Sequence, residues 1–329
     1  MILVTGASGF VGTRLCEQLR LGLDRPVRAV VNRPEHAARL ARLDVELTRE
    51  LDATGCDAVV HLAYATEGSA RSRRRLTAEL ARLAAEAAGT RRLVHVSTTA
   101  VWGFDAGGVL DESVPPRRTG HPYVDGKIDA EEAVRATSPN HVVLRPTNVW
   151  GPWGRAFTIG PVGALREGCV ALVGEGSGPA NLVYVDNLVH AILRALDSPS
   201  GTFVVNDGDE PTWRGLYDAY ASLGAWGVRT APADEARERR VSKAIRRAAT
   251  SAPGRAVARR LLPRAAQARA REAVLASPEF PPPELAALQT SGVRYRTDRA
   301  REVLGYDPPV SFDRGLELTA DWLRFARLL

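Results

Sequence analysis

The chain opens on a short apolar run, Met1-Ile2-Leu3-Val4, and turns at once into Thr5-Gly6-Ala7-Ser8-Gly9-Phe10-Val11-Gly12. An apolar-periodic stretch with Leu15, Leu19 and Leu21 follows. A buried strand, a glycine turn and a helix in that order constrain the fold more than any other feature of the sequence. Gly6 permits a tight turn, Gly9 lets backbone approach a pyrophosphate, and Gly12 lets the helix pack on the strand. The spacing predicts the first unit of a parallel, dinucleotide-binding sheet. A second strand, Val27-Arg28-Ala29-Val30-Val31, ends in Asn32-Arg33. A site for NAD normally carries an acidic residue near this point, bonded to the ribose hydroxyls. Arg33 suits the extra phosphate of NADP, and the missing carboxylate removes a repulsion. A lone arginine is also cheap as a solvated loop charge. NADP is the favoured cofactor and NAD the alternative.

Lys and Arg together number 44, yet the only lysines are Lys127 and Lys243. A chain that writes Arg for almost every positive charge keeps Lys where an ammonium is wanted. Lys127 follows Tyr123 by four residues in Tyr123-Val124-Asp125-Gly126-Lys127. On a helix that spacing stacks the two side chains on one face. A compact cation beside a phenol lowers its pKa and prepares it for proton transfer. The wide, permanently charged fork of Arg is a poor replacement. The bland alternative is a solvated helix face with an incidental tyrosine.

Further landmarks come in order. Asp57-Ala58-Val59-Val60-His61-Leu62-Ala63 reads as a buried strand ending in small residues, with Tyr64 next. Leu93-Val94-His95-Val96 leads to the hydroxyls Ser97, Thr98 and Thr99. Then come Leu144-Arg145-Pro146-Thr147-Asn148-Val149-Trp150-Gly151-Pro152, Leu182-Val183-Tyr184-Val185-Asp186-Asn187-Leu188, and, near the end, Ala300-Arg301-Glu302-Val303-Leu304-Gly305-Tyr306-Asp307-Pro308. Together these motifs resemble the extended short-chain dehydrogenase/reductase family, also called the NAD-dependent epimerase/dehydratase family. Only about 229–290 falls outside the resemblance.

The resemblance implies an α/β fold: a doubly wound parallel-sheet Rossmann domain with a smaller, interleaved C-terminal substrate domain. The expected division is 1–150 plus about 181–206 for the cofactor, and 151–180 plus 207–329 for the substrate. Tyr123 would be the general acid of reduction, and Lys127 would hold the nicotinamide ribose. Thr98 falls on the family's Ser/Thr position when Val101-Trp102-Gly103 is matched to Val-Tyr-Gly, and would bond the substrate oxygen. Ser97 and Thr99, read as strand neighbours of Thr98, would point away from it. Cofactor contacts are expected from Gly6, Ser8, Gly9, Phe10, Val11, Gly12, Asn32, Arg33, Leu62, Ala63, Tyr64, Ser97, Tyr123, Lys127, Pro146, Asn148 and Val149. Substrate contacts are expected from Thr98, Thr99, Trp102, Tyr123, Asn148 and Trp153. Trp150 and Trp213 also fall near that side, although aromatics dominate ordinary cores as well.

Departures from the family pattern narrow the chemistry. Family dehydratases carry an Asp-Glu pair after the catalytic threonine, where this chain has Thr99 and Ala100. Nucleotide-sugar enzymes commonly carry an arginine at the position of Ala180, gripping a diphosphate. Losing such a charge-assisted contact weakens binding by roughly 1.5–3 kcal/mol. The surviving chemistry is interconversion of a ketone and a secondary alcohol on a moderately apolar small molecule. The alternative is an epimerase or isomerase of a sugar or nucleotide sugar, using tightly bound NAD in an internal redox cycle. Within the Tyr-Lys motif, Asp125 serves at most local charge balance, and Gly126 slightly weakens the helix.

The net charge of +6 is uneven: residues 229–272 carry +9, leaving −3 elsewhere. That stretch reads as a basic helical insertion over about 229–280, broken at Pro253 and Pro263. It suits a solvated surface, a docking face for an acidic carrier protein, or contact with an anionic surface. Confinement to one segment argues against a nucleic-acid binder. Pro281-Pro282-Pro283 reads as a stiff linker. Cys16, Cys56 and Cys169 are scattered, without disulfide framework or metal spacing. No apolar run approaches the roughly 18 residues of a membrane span, and the first strand starting at Met1 argues against a leader. A cytoplasmic enzyme is expected, with a homodimer as the family's usual assembly.

Overall fold

A computed structural model of the protein describes residues 1–208, 211–234 and 280–329. Seven parallel strands form the central sheet, in the order β11-β7-β5-β4-β1-β2-β3. They are β1 (Ile2–Thr5), β2 (Val27–Val30), β3 (Glu46–Thr48), β4 (Ala58–His61), β5 (Arg92–Val96), β7 (His141–Pro146) and β11 (Gly201–Val205). The order reverses direction between β1 and β4, so their carboxyl ends open a crevice, the place where such sheets bind ligands.

Alternation along the strands assigns each residue to one face of the sheet. Val4, Val60, Val94 and Leu144 share a core with Leu188 and Ile192 of α5 (Val185–Leu196) and with Leu15 of α1 (Phe10–Glu17). Leu3, Val59, Leu93 and Val143 face the other way, onto Ala81 and Ala85 of α2 (Ala70–Ala88) and Ala130 and Val134 of α3 (Pro122–Thr137). Small alanines bring α2 close to the sheet. Gly126 brings it close to α3, since a Cβ there would lie 3.3 Å from the Cα of Arg74. The glycine that weakens a helix in isolation thus sets the approach of two helices.

The second body is built around Trp150, Tyr184, Trp213, Tyr217 and Tyr220. Its short strands pair outside the main sheet: β8 (Asn148–Trp150) with β10 (Leu182–Tyr184), and β9 (Val170–Val173) with β12 (Arg229–Ala231). The basic segment therefore opens with a strand where a helix was expected; 235–279, including Pro253 and Pro263, lies outside the described residues. The triproline stretch runs straight into a helix, Pro283–Ser291, whose first residue is proline. Gln289 of that helix accepts from Val173 N and donates to Ala171 O, docking it on β9. Among the described residues, no helix is long and apolar enough to cross a membrane and no side-chain cluster could hold a metal.

Candidate active site

The phosphate end is made by backbone. Gly6 has φ +68°, and a Cβ there would stand 2.8 Å from Ala63 N. A Cβ on Gly12 would stand 2.2 Å from Gly6 O. Gly9 caps α1 without a side-chain bond, so the N-terminal N–H groups of the helix face outward. Thr13 Oγ1 donates to Ala7 O and ties the loop to the helix. A cradle that any Cβ would fill, at a helix N-terminus, fits the pyrophosphate of a dinucleotide. Ser8, Phe10 and Val11 line the same turn. Leu62, Ala63 and Tyr64 follow β4 directly, with Ala63 N 3.4 Å from Thr5 Oγ1.

Asn32 and Arg33 are exposed just past β2, at the position expected for the adenosine ribose. Arg33 is ion-paired with Glu67 of the loop after β4.

The catalytic candidates converge from two elements. Pro122 starts α3, where a missing N–H costs nothing, and so places Tyr123 in the first turn. Tyr123 and Lys127 share one face of the helix. Thr98, in extended backbone after β5, accepts a hydrogen bond from Ala100 N at 3.1 Å and caps a short 3-10 turn, Thr99–Trp102. Its hydroxyl also lies close enough to Tyr123 to lower the phenol's pKa. Capping and catalysis are compatible roles for one side chain.

The charge logic differs from the sequence expectation. Burial pushes the Tyr123 phenol up to about 12, against the pull of Thr98. Lys127 does not offset this: its Nζ donates to Val96 O at 2.9 Å and lies 5.3 Å from the ring centroid of Tyr64. Burial lowers Lys127 to about 8, while Glu131, one turn further along α3, raises it. Tyr64 in turn meets Tyr123 edge to face at 5.9 Å.

Beneath these residues lies a buried polar layer that sequence reasoning missed. Glu131 takes two bonds from Arg145, Nε to Oε1 at 2.9 Å and Nη2 to Oε2 at 2.7 Å. Arg135 donates to the same carboxylate, and the Ser97 hydroxyl also favours its ionised form. His61 and His95 stack at 5.3 Å, and both are held neutral by burial, His61 down to about 3. Thr5 Oγ1 bonds His61 Nδ1 at 2.8 Å. The signal was present: Glu131 continues the four-residue spacing of Tyr123 and Lys127, and His61, His95 and Arg145 interrupt otherwise apolar strands. Asp125 gains a role as well, accepting from Thr119 N and Arg74 and fixing the approach to α3.

Several expected contacts are redirected. Thr99 opens the 3-10 turn and is no strand neighbour of Thr98; it is buried, with its hydroxyl toward Tyr295. Trp102 is a core residue, not a pocket wall: it is 2% exposed, stacks on Tyr295, lies under Arg145 and donates Nε1 to Val114 O. Trp150 and Trp213 are buried in the second body. Trp153 is exposed and packed against Trp322 and Arg39. Trp102, Trp150 and Trp213 thus bury their rings among other side chains rather than at a pocket mouth. Pro146 closes β7, while Asn148 is committed to Ala180 O through Nδ2 and packs beside Val149 at the seam of the two bodies.

A family model described as the NAD dependent epimerase/dehydratase family matches residues 2–206. The chain belongs to that family, whose enzymes are nicotinamide-dependent dehydrogenases, reductases and epimerases of the extended short-chain type. It is 28% identical over 375 residues to a UDP-glucose 4-epimerase of Mycolicibacterium smegmatis, covering 98% of both chains. It is 32% identical over 227 residues to a 4-hydroxy-2-methyl-3-oxo-4-farnesyl-3,4-dihydroquinoline-1-oxide ketoreductase of Stigmatella aurantiaca, covering 62% of this chain and 67% of that one. The solved UDP-glucuronic acid 4-epimerase of Bacillus cereus, in complex with NAD, has the same fold, with a TM-score of 0.71 at 17% identity over 99% of both chains.

Proposed function

We propose that the protein is an NADPH-preferring ketoreductase that converts a ketone on a moderately apolar small molecule to a secondary alcohol. The observation that carries this reading is the convergence of Tyr123 with Thr98 and, one helical turn away, a buried Lys127. Burial keeps the phenol protonated at neutral pH, the form a reduction consumes.

When bound, the cofactor supplies a hydride at the nicotinamide C4. Tyr123 gives its proton to the carbonyl oxygen as the carbon is reduced, and the Thr98 hydroxyl donates to the same oxygen while charge builds there. Lys127 holds a positive charge beside the site in surroundings that exclude water. Asn32, Arg33 and the absence of a carboxylate at the end of β2 support NADP over NAD.

The second reading is an epimerase that returns the hydride to the same substrate. It is supported by the resemblance to UDP-glucose 4-epimerase over nearly the whole chain. Against it stands Ala180, wholly buried where a diphosphate-gripping arginine would be expected. Replacing Tyr123 by Phe tests both. Turnover should fall by at least ~10²-fold, the usual worth of a positioned acid, with cofactor binding intact; retained turnover sinks the mechanism.

A further inference from the structure

A cavity of about 180 Å³ lies beside Tyr123, walled by Tyr64, Ala65, Thr66, Arg73, Thr77 and Pro122. Thr77 Oγ1 accepts from Ala65 N and donates to Arg73 O, so the loop after β4 is fastened to α2 and the wall is fixed. Arg73 and Arg74 are adjacent on α2 but differ in fate. Arg74 is spent on Asp129, with Nη2 to Oδ1 at 3.1 Å, and on Asp125. Arg73 lines the cavity. Its Nε is buried without a hydrogen-bond partner, and its side chain has no ion pair among the described residues. Glu67, a carboxylate on the same loop as Tyr64, is already paired with Arg33.

A guanidinium with a buried, unanswered donor is costly unless something answers it. We infer that Arg73 is the anion-recognising end of the cavity, so that the substrate carries a carboxylate or a phosphate a few bonds from its reacting carbonyl. The planar fork of Arg matches either group with paired bonds. Tyr123 and Arg73 line one cavity, so a single small molecule spans them, its ketone at the phenol and its anion at the guanidinium. This deepens the proposed function and rests on Tyr123 as the proton donor. It also revises the apolar substrate expected from the sequence, since one end of the molecule is charged.

The test is binding by titration calorimetry to the NADP⁺-loaded enzyme. The probes are 3-hydroxyoctanoate, its methyl ester and inorganic phosphate, each against wild type, Arg73→Gln and Arg73→Lys. The expected result is that wild type prefers the acid to the ester or binds phosphate. Gln should weaken the anion by about 10- to 100-fold, the worth of a charge-assisted contact, and leave the ester unchanged, while Lys restores part of the loss. NADPH affinity, read by fluorescence, should be the same in all three proteins, which also shows that the variants fold. Equal binding of acid and ester with no phosphate binding, no binding of any probe, or unaltered anion affinity in Arg73→Gln overturns the subsite. Loss of NADPH affinity in Arg73→Gln overturns it too, by assigning Arg73 to a cofactor phosphate. Turnover of 3-oxooctanoate with NADPH separates the two claims: anion binding without turnover leaves the subsite standing and removes the reductase reading.

Discussion

The two faces of the central sheet are built from the same strands, one residue apart, and they do different work. The face against α1 and α5 is apolar throughout, with Val4, Val60, Val94, Val142 and Leu144 fully buried. The face against α2 and α3 starts equally apolar with Leu3, Val59, Leu93 and Val143. At its carboxyl end it turns polar, with Thr5, His61, His95, Ser97 and Arg145, facing Lys127 and Glu131. The first face buries area and nothing else. The second gives up some of that area to hold charge and neutral imidazoles under the crevice. Fold and chemistry are thus separated by the period of a strand.

The difference can be broken most sharply with a matched pair of substitutions. Leu144→Ala on the apolar face should cost about 2–5 kcal/mol, with kcat unchanged in the folded fraction. Glu131→Gln on the polar face should cost about 3–5 kcal/mol, because it leaves Arg145 buried with a broken partner, and should lower activity as well. Denaturant unfolding together with steady-state kinetics separates the two; equal kinetic effects would erase the distinction.

Next in size is Lys127→Arg, the exchange this chain makes almost everywhere else. Turnover should fall by ~10²-fold or more, since a fork cannot occupy a point-charge site. The wild-type ammonium, lowered to about 8, is protonated below that pH and lost above it. Wild-type reduction should therefore decline as pH rises through about 8, and a flat alkaline profile would contradict the role of Lys127.

The stacked histidines give a smaller effect, at acid pH. His61 and His95 are held neutral in the fold, His61 down to about 3, but titrate near 6.5 when unfolded. Their contribution is fully present above 6.5 and is lost as pH falls below it, for His61 down to about 3. At pH 5 His61 should have lost about 2 kcal/mol relative to pH 7.5. Unfolding of His61→Phe at the two pH values should show a difference smaller by that amount; an unchanged difference would mean His61 does not titrate this way. Smallest is Arg33→Ala, which should weaken NADPH by about 10-fold and leave NADH unaltered, as read by fluorescence titration.

The sequence made the glycine cradle and the Tyr123–Lys127 stripe legible because each depends on local geometry: a positive φ, a steric contact, a helical repeat. The parallel sheet was expected from the glycine turn and the family resemblance, while its strand order was not read. The Glu131–Arg145 pair and the His61–His95 stack were not read, because each joins residues on different elements, and register decides such meetings. Trp102 and Trp153 misled, since position in a motif does not say which way a ring turns. Arg73 looked like one more residue in Arg73-Arg74-Arg75; only the packing of α2 on α3 distinguishes the arginine that is spent from the one that is not.

The most direct test of the central claim is to denature the freshly purified protein, chromatograph whatever nucleotide is released, and titrate cofactor-free protein with NADPH and NADH. The reductase account predicts little retained nucleotide and much tighter binding of NADPH. Near-stoichiometric NAD⁺ would contradict it, favour the internal-redox epimerase, and return Arg33 to the surface as a partner for Glu67 alone.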